Sequence, residues 1–155
     1  MVDDELLRLL RNGSALIAGL VDPEGRPYAL RAWVVVPAST AGDRVRVALG
    51  DECNVVGDWI VGTRVAVTGG DVSTLESLQV KGTVVAWWGE PTESDLAAAG
   101  EHAEAILHAV HESDGDPIEL VRRMGPRHLV VVEIAIDEAY DQTPGPKAGA
   151  PLEVG

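Results

Sequence analysis

Two side chains in this sequence stand out as candidates to grip an anion: Arg31, and Lys81 two positions after Gln79. A guanidinium offers parallel N–H donors to a phosphate or carboxylate, and an ammonium adds a compact positive charge. On a strand, residues two apart share a face, so Lys81 projects on the same side as Gln79. Four tryptophans, Trp33, Trp59, Trp87 and Trp88, carry almost all the large aromatic surface of a chain without phenylalanine. Trp33, two residues after Arg31, is the one expected to wall a ligand, and the other three are expected to serve packing. Trp87 and Trp88 point to opposite sides of one strand, which puts one of them on the exterior or at a subunit contact.

The remaining polar groups form no catalytic set. Ser14, Ser39, Ser73, Ser77, Ser94 and Ser113 sit in no G-x-S-x-G turn, and neither an H-E-x-x-H pair nor a phosphate-binding P-loop occurs. His108 and His111 share a helix face with Glu104 nearby, but no further ligand is fixed by spacing, so no metal site is expected. His102, weighed for the same metal, is read with them as a histidine of an exposed acidic helix, His128 as an unremarkable strand opener, and Cys53, the single cysteine, as a small buried or half-buried side chain. Chemistry on this chain therefore has to come from a cofactor, with the protein supplying binding, orientation and electrostatics.

Composition narrows the partners. The 155 residues suit one domain, and 46% hydrophobic with 24% charged residues is ordinary globular composition. The formal charge of -13 gives a far field that repels nucleic acid and anionic membrane surfaces, while a few local arginines still allow a small phosphorylated ligand. No apolar run is long enough to span a bilayer, and the acidic start Met1-Val2-Asp3-Asp4-Glu5 is unlike a signal peptide, so a cytoplasmic location is expected.

The elements that must position these groups follow from periodicity and turn chemistry. Acids at 3–5 ahead of Leu6, Leu7, Leu9 and Leu10, with Asn12-Gly13 behind, predict a short leading helix. Ala15 to Val21 and Tyr28 to Val36 flank Asp22-Pro23-Glu24-Gly25 as a hairpin, and Asp43 to Leu49 alternates into a third strand. Asp51 to Ile60 has the spacing of a short amphipathic helix, Arg64 to Thr68 of a fourth strand, and Leu78 to Trp88 of a long fifth with a bulge or a close backbone approach at Gly82. Thr92 and Asp95 predict a capping box opening an alanine-rich helix to about His111, and Pro117 to Met124 a second short helix. His128 to Ile136 is the sixth strand. The sum is a mainly β, α+β fold: a six-stranded antiparallel barrel over residues 1–140, with a helical insert before the last strand and an extended Pro/Gly-rich tail over 141–155.

Several phrases resemble the split β-barrels of the pyridoxamine 5'-phosphate oxidase superfamily. Gly19-Leu20-Val21-Asp22-Pro23-Glu24-Gly25-Arg26-Pro27 is similar to the family's first hairpin, and Arg31-Ala32-Trp33-Val34-Val35 sits where members place an arginine along the flavin. Glu76-Ser77-Leu78-Gln79-Val80-Lys81-Gly82 resembles the fifth strand, in which a glutamine faces the flavin and a basic residue follows. The stretch from Tyr140 through Pro146 to Ala148-Gly149 resembles the tail of bacterial members.

What the resemblance implies is an FMN-binding flavoprotein, an oxidoreductase of the flavin reductase kind, working as a homodimer with cofactor between the subunits. It assigns the cofactor to Arg31, Ala32, Trp33, Val47, Ala48, Cys53, Asn54, Gln79 and Lys81. The sequence departs from the pattern after the third strand. Where characterised oxidases carry a small residue and two basic ones for the flavin phosphate, this chain has Gly50-Asp51-Glu52-Cys53-Asn54. Two carboxylates there would repel a phosphate by about 1 kcal/mol per exposed contact. The competing expectation is a non-catalytic barrel that binds another small molecule or a protein after losing FMN.

Overall fold

A computed structural model describes residues 7–11, 13–38, 43–123 and 125–154. Six strands run β1 Ala15–Val21, β2 Pro27–Pro37, β3 Arg44–Gly50, β4 Arg64–Gly70, β5 Ser77–Gly89 and β6 Leu129–Asp141, and a two-residue β7, Pro151–Leu152, follows. All neighbours are antiparallel in the order β3-β2-β1-β4-β5-β6-β7, and a further pairing of β3 with β6 closes the six long strands into a barrel.

Alternation builds the interior. Leu16, Ala18 and Leu20 on β1, Val45, Val47 and Leu49 on β3, Val65 and Val67 on β4, and Val130, Val132, Ile134 and Ile136 on β6 all point inward and are buried. The hairpin between β1 and β2 is fixed by Asp22, whose carboxylate accepts from the backbone N–H of Arg26 at 2.8 Å and from its Nε at 2.6 Å. The expected bulge at Gly82 is present, with the register to β6 shifting between Lys81 and Gly82. A Cβ at Gly82 would come within 2.1 Å of the Ala135 carbonyl oxygen, so only glycine permits this approach.

The helical insert lies between β5 and β6. Helix α1, Glu93–Asp114, opens with a full capping box: Thr92 and Asp95 each accept the other's backbone N–H. A second helix, α2, Ile118–Arg122, follows with Pro117 as its N-cap. Helix α1 covers one outer face of the barrel and buries a second cluster there, made of Trp33, Val34, Ala48, Ala99, Ala103, Ile106, Leu129 and Val131. A register shift between Ala32 and Val34 turns both Trp33 and Val34 outward toward the helix.

Four expectations are corrected. No helix spans 51–60; a single 3-10 turn, Asp58–Ile60, is all that forms. The reason is Asp51, buried at the end of β3, whose two carboxylate oxygens accept the N–H groups of Val55 and Val56 at 2.8 and 2.9 Å. That local bonding replaces the helical ladder. Of the expected leading helix, Leu7 is helical and a 3-10 turn, Arg8–Leu10, follows it, while residues 1–6 and Asn12 lie outside the described residues. Trp87 and Trp88 are both exposed, because register shifts on either side of Trp87 break the strict alternation of β5. Cys53 is exposed on the loop rather than buried. Strand β6 is longer than expected, running on to Asp141, and the tail turns back so that Pro151 and Leu152 pair with Tyr140 and Ala139.

Candidate functional site

Register brings the anion-binding candidates onto one surface. Arg31 on β2 pairs with Ile17 on β1, Ile17 with Thr68 on β4, Thr68 with Gln79 on β5, and Gln79 with Tyr140 on β6. Directly paired residues share a face, and their neighbours along each strand (Leu16, Ala18, Val67, Leu78 and Val80) are buried inside. The row therefore lies on the outside of the barrel. Three inter-strand steps separate Arg31 from Gln79, roughly 14 Å. The adjacent row, Ala29, Gly19, Ala66, Lys81 and Glu138, places Lys81 one pleat away.

Small and apolar residues floor this face. Ile17 is 54% exposed and Val21 49%, unusual for branched aliphatic side chains on the middle strand of a sheet. Helix α1 borders Ile17 only across a narrow crevice, through His102, Ile106 and Val110, and leaves it exposed. The polar groups are held at the sides: the Gln79 amide donates to Thr68 Oγ1 at 2.9 Å, leaving its carbonyl and second N–H without a partner among the described residues. The Lys81 ammonium sits 4.5 Å from the Tyr140 ring centre, and the Tyr140 hydroxyl donates to Glu138 at 2.5 Å, a bond that pushes the phenol above its ordinary range.

Arg31 stands apart from the other arginines of the barrel. Arg26, Arg44, Arg46 and Arg64 each pair with a carboxylate. Among the described residues Arg31 makes no ion pair; its guanidinium lies over the Trp33 ring, 5.5 Å from the centre. In a chain with 25 acidic residues, an arginine with none of them against it keeps its donors available.

The other expected site residues are not on this face. Ala32 and Val47 point into the barrel core, and Ala48 packs under α1, so none of their side chains reaches the outer row. Trp33 is 3% exposed and sealed against α1 on one side, though its ring still borders a crevice beside Arg31. Cys53 and Asn54 sit on the loop after β3, where Asn54 adopts a left-handed conformation at φ 51°. That loop starts next to Arg31: a Cβ on Gly50 would lie 3.4 Å from the Arg31 carbonyl, 3.0 Å from Trp33 Nε1 and 3.3 Å from a Glu52 oxygen. Of the two carboxylates expected to repel a phosphate, Asp51 is turned inward and consumed by the loop, so only Glu52 faces outward.

Residue-type reasoning passed over Thr68 and Ile17, which become neighbours of Gln79 and Arg31 only through pairing with β1 and β4. It also placed His102 on an exposed helix surface, which the structure corrects. His102 is 6% exposed on α1, and its Nε2–H donates to the Ser14 carbonyl at 3.0 Å. His111, by contrast, closes the end of α1 with Nδ1 donating to the Asp116 carbonyl at 2.6 Å.

Comparison with known proteins supports the fold. No family model matches the chain, and no curated protein does. Among solved structures, HupZ of Group A Streptococcus superposes with a TM-score of 0.52 at 15% identity, covering 96% of this chain and 100% of that one. A structure described as an F420 reductase gives 0.52 at 17% identity, over 86% and 94% of the two chains. A pyridoxamine 5'-phosphate oxidase-related, FMN-binding protein from Nostoc punctiforme gives 0.48 at 16% identity, over 93% and 83%. The first two superpositions and the closed strand pairing give the chain a split-barrel fold. Among the described residues, no helix is long and apolar enough to cross a membrane.

Proposed function

We propose that this chain is a flavin-binding oxidoreductase that lays FMN across the outer face of β1, β2, β4 and β5, and that a second copy of the chain covers that face. The observation that carries this reading is the row Arg31–Ile17–Thr68–Gln79, with a free guanidinium at one end and an amide at the other. A span of about 14 Å suits a tricyclic ring system with an extended phosphate-bearing side chain. Bound FMN would supply hydride and electron transfer, which no side-chain set here provides.

Within this reading each residue has a physical task. Arg31 takes the phosphate through charge-assisted hydrogen bonds. Gln79 directs its spare N–H at the pyrimidine edge, where negative charge grows on reduction, and Lys81 adds positive potential one pleat away. Ile17, Gly19 and Ala66 supply a flat, dry floor. An open sheet face is not a pocket, so the opposite wall has to come from another molecule, and the exposed Ile17 and Val21 give a second copy apolar surface to bury.

The test is a titration of the purified protein with FMN. Saturable binding with release of yellow flavin on denaturation is the expected result, and Arg31→Ala is expected to weaken the affinity by about 1.5–3 kcal/mol. Absence of binding in excess FMN ends the cofactor reading. One observation favours the second reading, a non-catalytic barrel: Glu52 occupies the loop where the phosphate-binding basic pair is expected, its carboxylate accepting from the Arg127 N–H at 3.4 Å. Under that reading the same face binds a partner without flavin.

A further inference from the structure

A crevice of about 160 Å³ opens where the C-terminal half of α1 leaves the barrel. Its helix side is the stripe His102, Ile106 and Val110, at i, i+4 and i+8 on one face of α1. Its barrel side is Trp33 with Ala15 and Ile17, and Arg31 stands at the mouth. The volume is close to that of an apolar protein cavity that accepts one benzene ring, about 150 Å³. Apolar walls, an aromatic side and a cationic rim describe a seat for a single six-membered ring.

One polar group in this wall is buried and half used. His102 donates through Nε2–H to the Ser14 carbonyl, which can only accept. Nδ1 of the neutral ring is then an acceptor, and it has no partner among the described residues. Burial pushes the imidazole below its ordinary value, which keeps the ring neutral near pH 7. His102 also lines a larger groove of about 430 Å³, with Glu101 and Arg11.

We infer that the crevice binds a monocyclic phenol, its ring between Trp33 and the Ile106–Val110 stripe and its hydroxyl donating to Nδ1 of His102. The inference does not depend on the cofactor reading, since the crevice wall is complete in one copy of the chain. The ring is held by burial, and the hydroxyl selects: an analogue of the same size without an O–H leaves the Nδ1 acceptor dry and unpaired. Seven heavy atoms limit the affinity to a weak range.

The test is a titration of the isotope-labelled protein with phenol, followed by NMR at the Trp33 indole and the His102 ring. The expected result is saturable shifts at both, with anisole, the methyl ether, binding at least about tenfold more weakly. Val110→Trp, which fills the crevice from its rim, is expected to lower phenol affinity at least tenfold while leaving shifts in β4 and β5 unchanged; Ile106→Phe serves if that variant does not fold. Shifts confined to Val36 and Ala98 in the larger groove, equal binding of anisole, or no saturation each overturn the inference. Running the titration with and without FMN separates the two readings, because loss of FMN binding with phenol binding intact removes only the cofactor.

Discussion

The barrel has two outer faces that the same alternation produced and that differ in what covers them. Over β2, β3 and β6, the outward residues Trp33, Val34, Ala48 and Val131 are buried because α1 lies on them. Over β1, β4 and β5, the outward residues Ile17 and Val21 stay about half exposed, with Thr68, Gln79 and Lys81 beside them. A covered face is spent on stability; an uncovered one with apolar floor and paired polar rims is available for binding. Arg31 stands on the boundary, stacked on a tryptophan of the covered face and paired in register with an isoleucine of the open one.

Substitutions on the two faces separate them most sharply. Trp33→Ala removes the largest side chain under α1 and is expected to cost about 3–5 kcal/mol in urea unfolding, a large share of a small domain's stability. Ile17→Glu on the open face is expected to leave monomer unfolding within about 0.5 kcal/mol while shifting sedimentation toward the monomer. Equal stability losses in the two variants would erase the distinction between the faces. At the boundary loop, Asp51→Ala strips the acceptor from the Val55 and Val56 N–H groups and is expected to cost about 1–3 kcal/mol. If Asp51→Ala is neutral, the carboxylate is not what holds the loop.

The smallest effect is that of pH on the seam between α1 and β1. Desolvation holds the His102 imidazole below its ordinary value of 6.5, only partly opposed by the bond to Ser14. The unfolded chain then binds more protons than the folded one as pH falls through about 6.5, so this contribution is intact above that value and fades below it. His102→Gln, compared with the parent in unfolding titrations across that window, is expected to flatten the pH slope. An unchanged slope would assign the pH dependence to other groups.

Much of the fold was legible because it depends on local chemistry. The Asp22 turn and the Thr92–Asp95 capping box each involve residues within a few positions of one another, and each formed where expected. The loop at 51–60 was misread for a related reason. Its apolar spacing is compatible with a helix, but a buried aspartate that bonds two N–H groups just ahead of it outweighs one weak turn of helix. The candidate site was legible only in part. Residue type singled out Arg31 and Lys81 and the family likeness added Gln79, yet Val47 and Ala48, from the same likeness, turned out to face the core and α1.

By itself the sequence determined the strands, their turns and which residue types could bind an anion, because alternation and turn geometry act over a few bonds. Only the tertiary structure decided that Arg31 and Gln79 share a row, that Asp51 faces inward, and that α1 covers one face and leaves the other bare. Those outcomes depend on strand register and barrel closure between residues as far apart as Arg44 and Ala135. No local pattern encodes them.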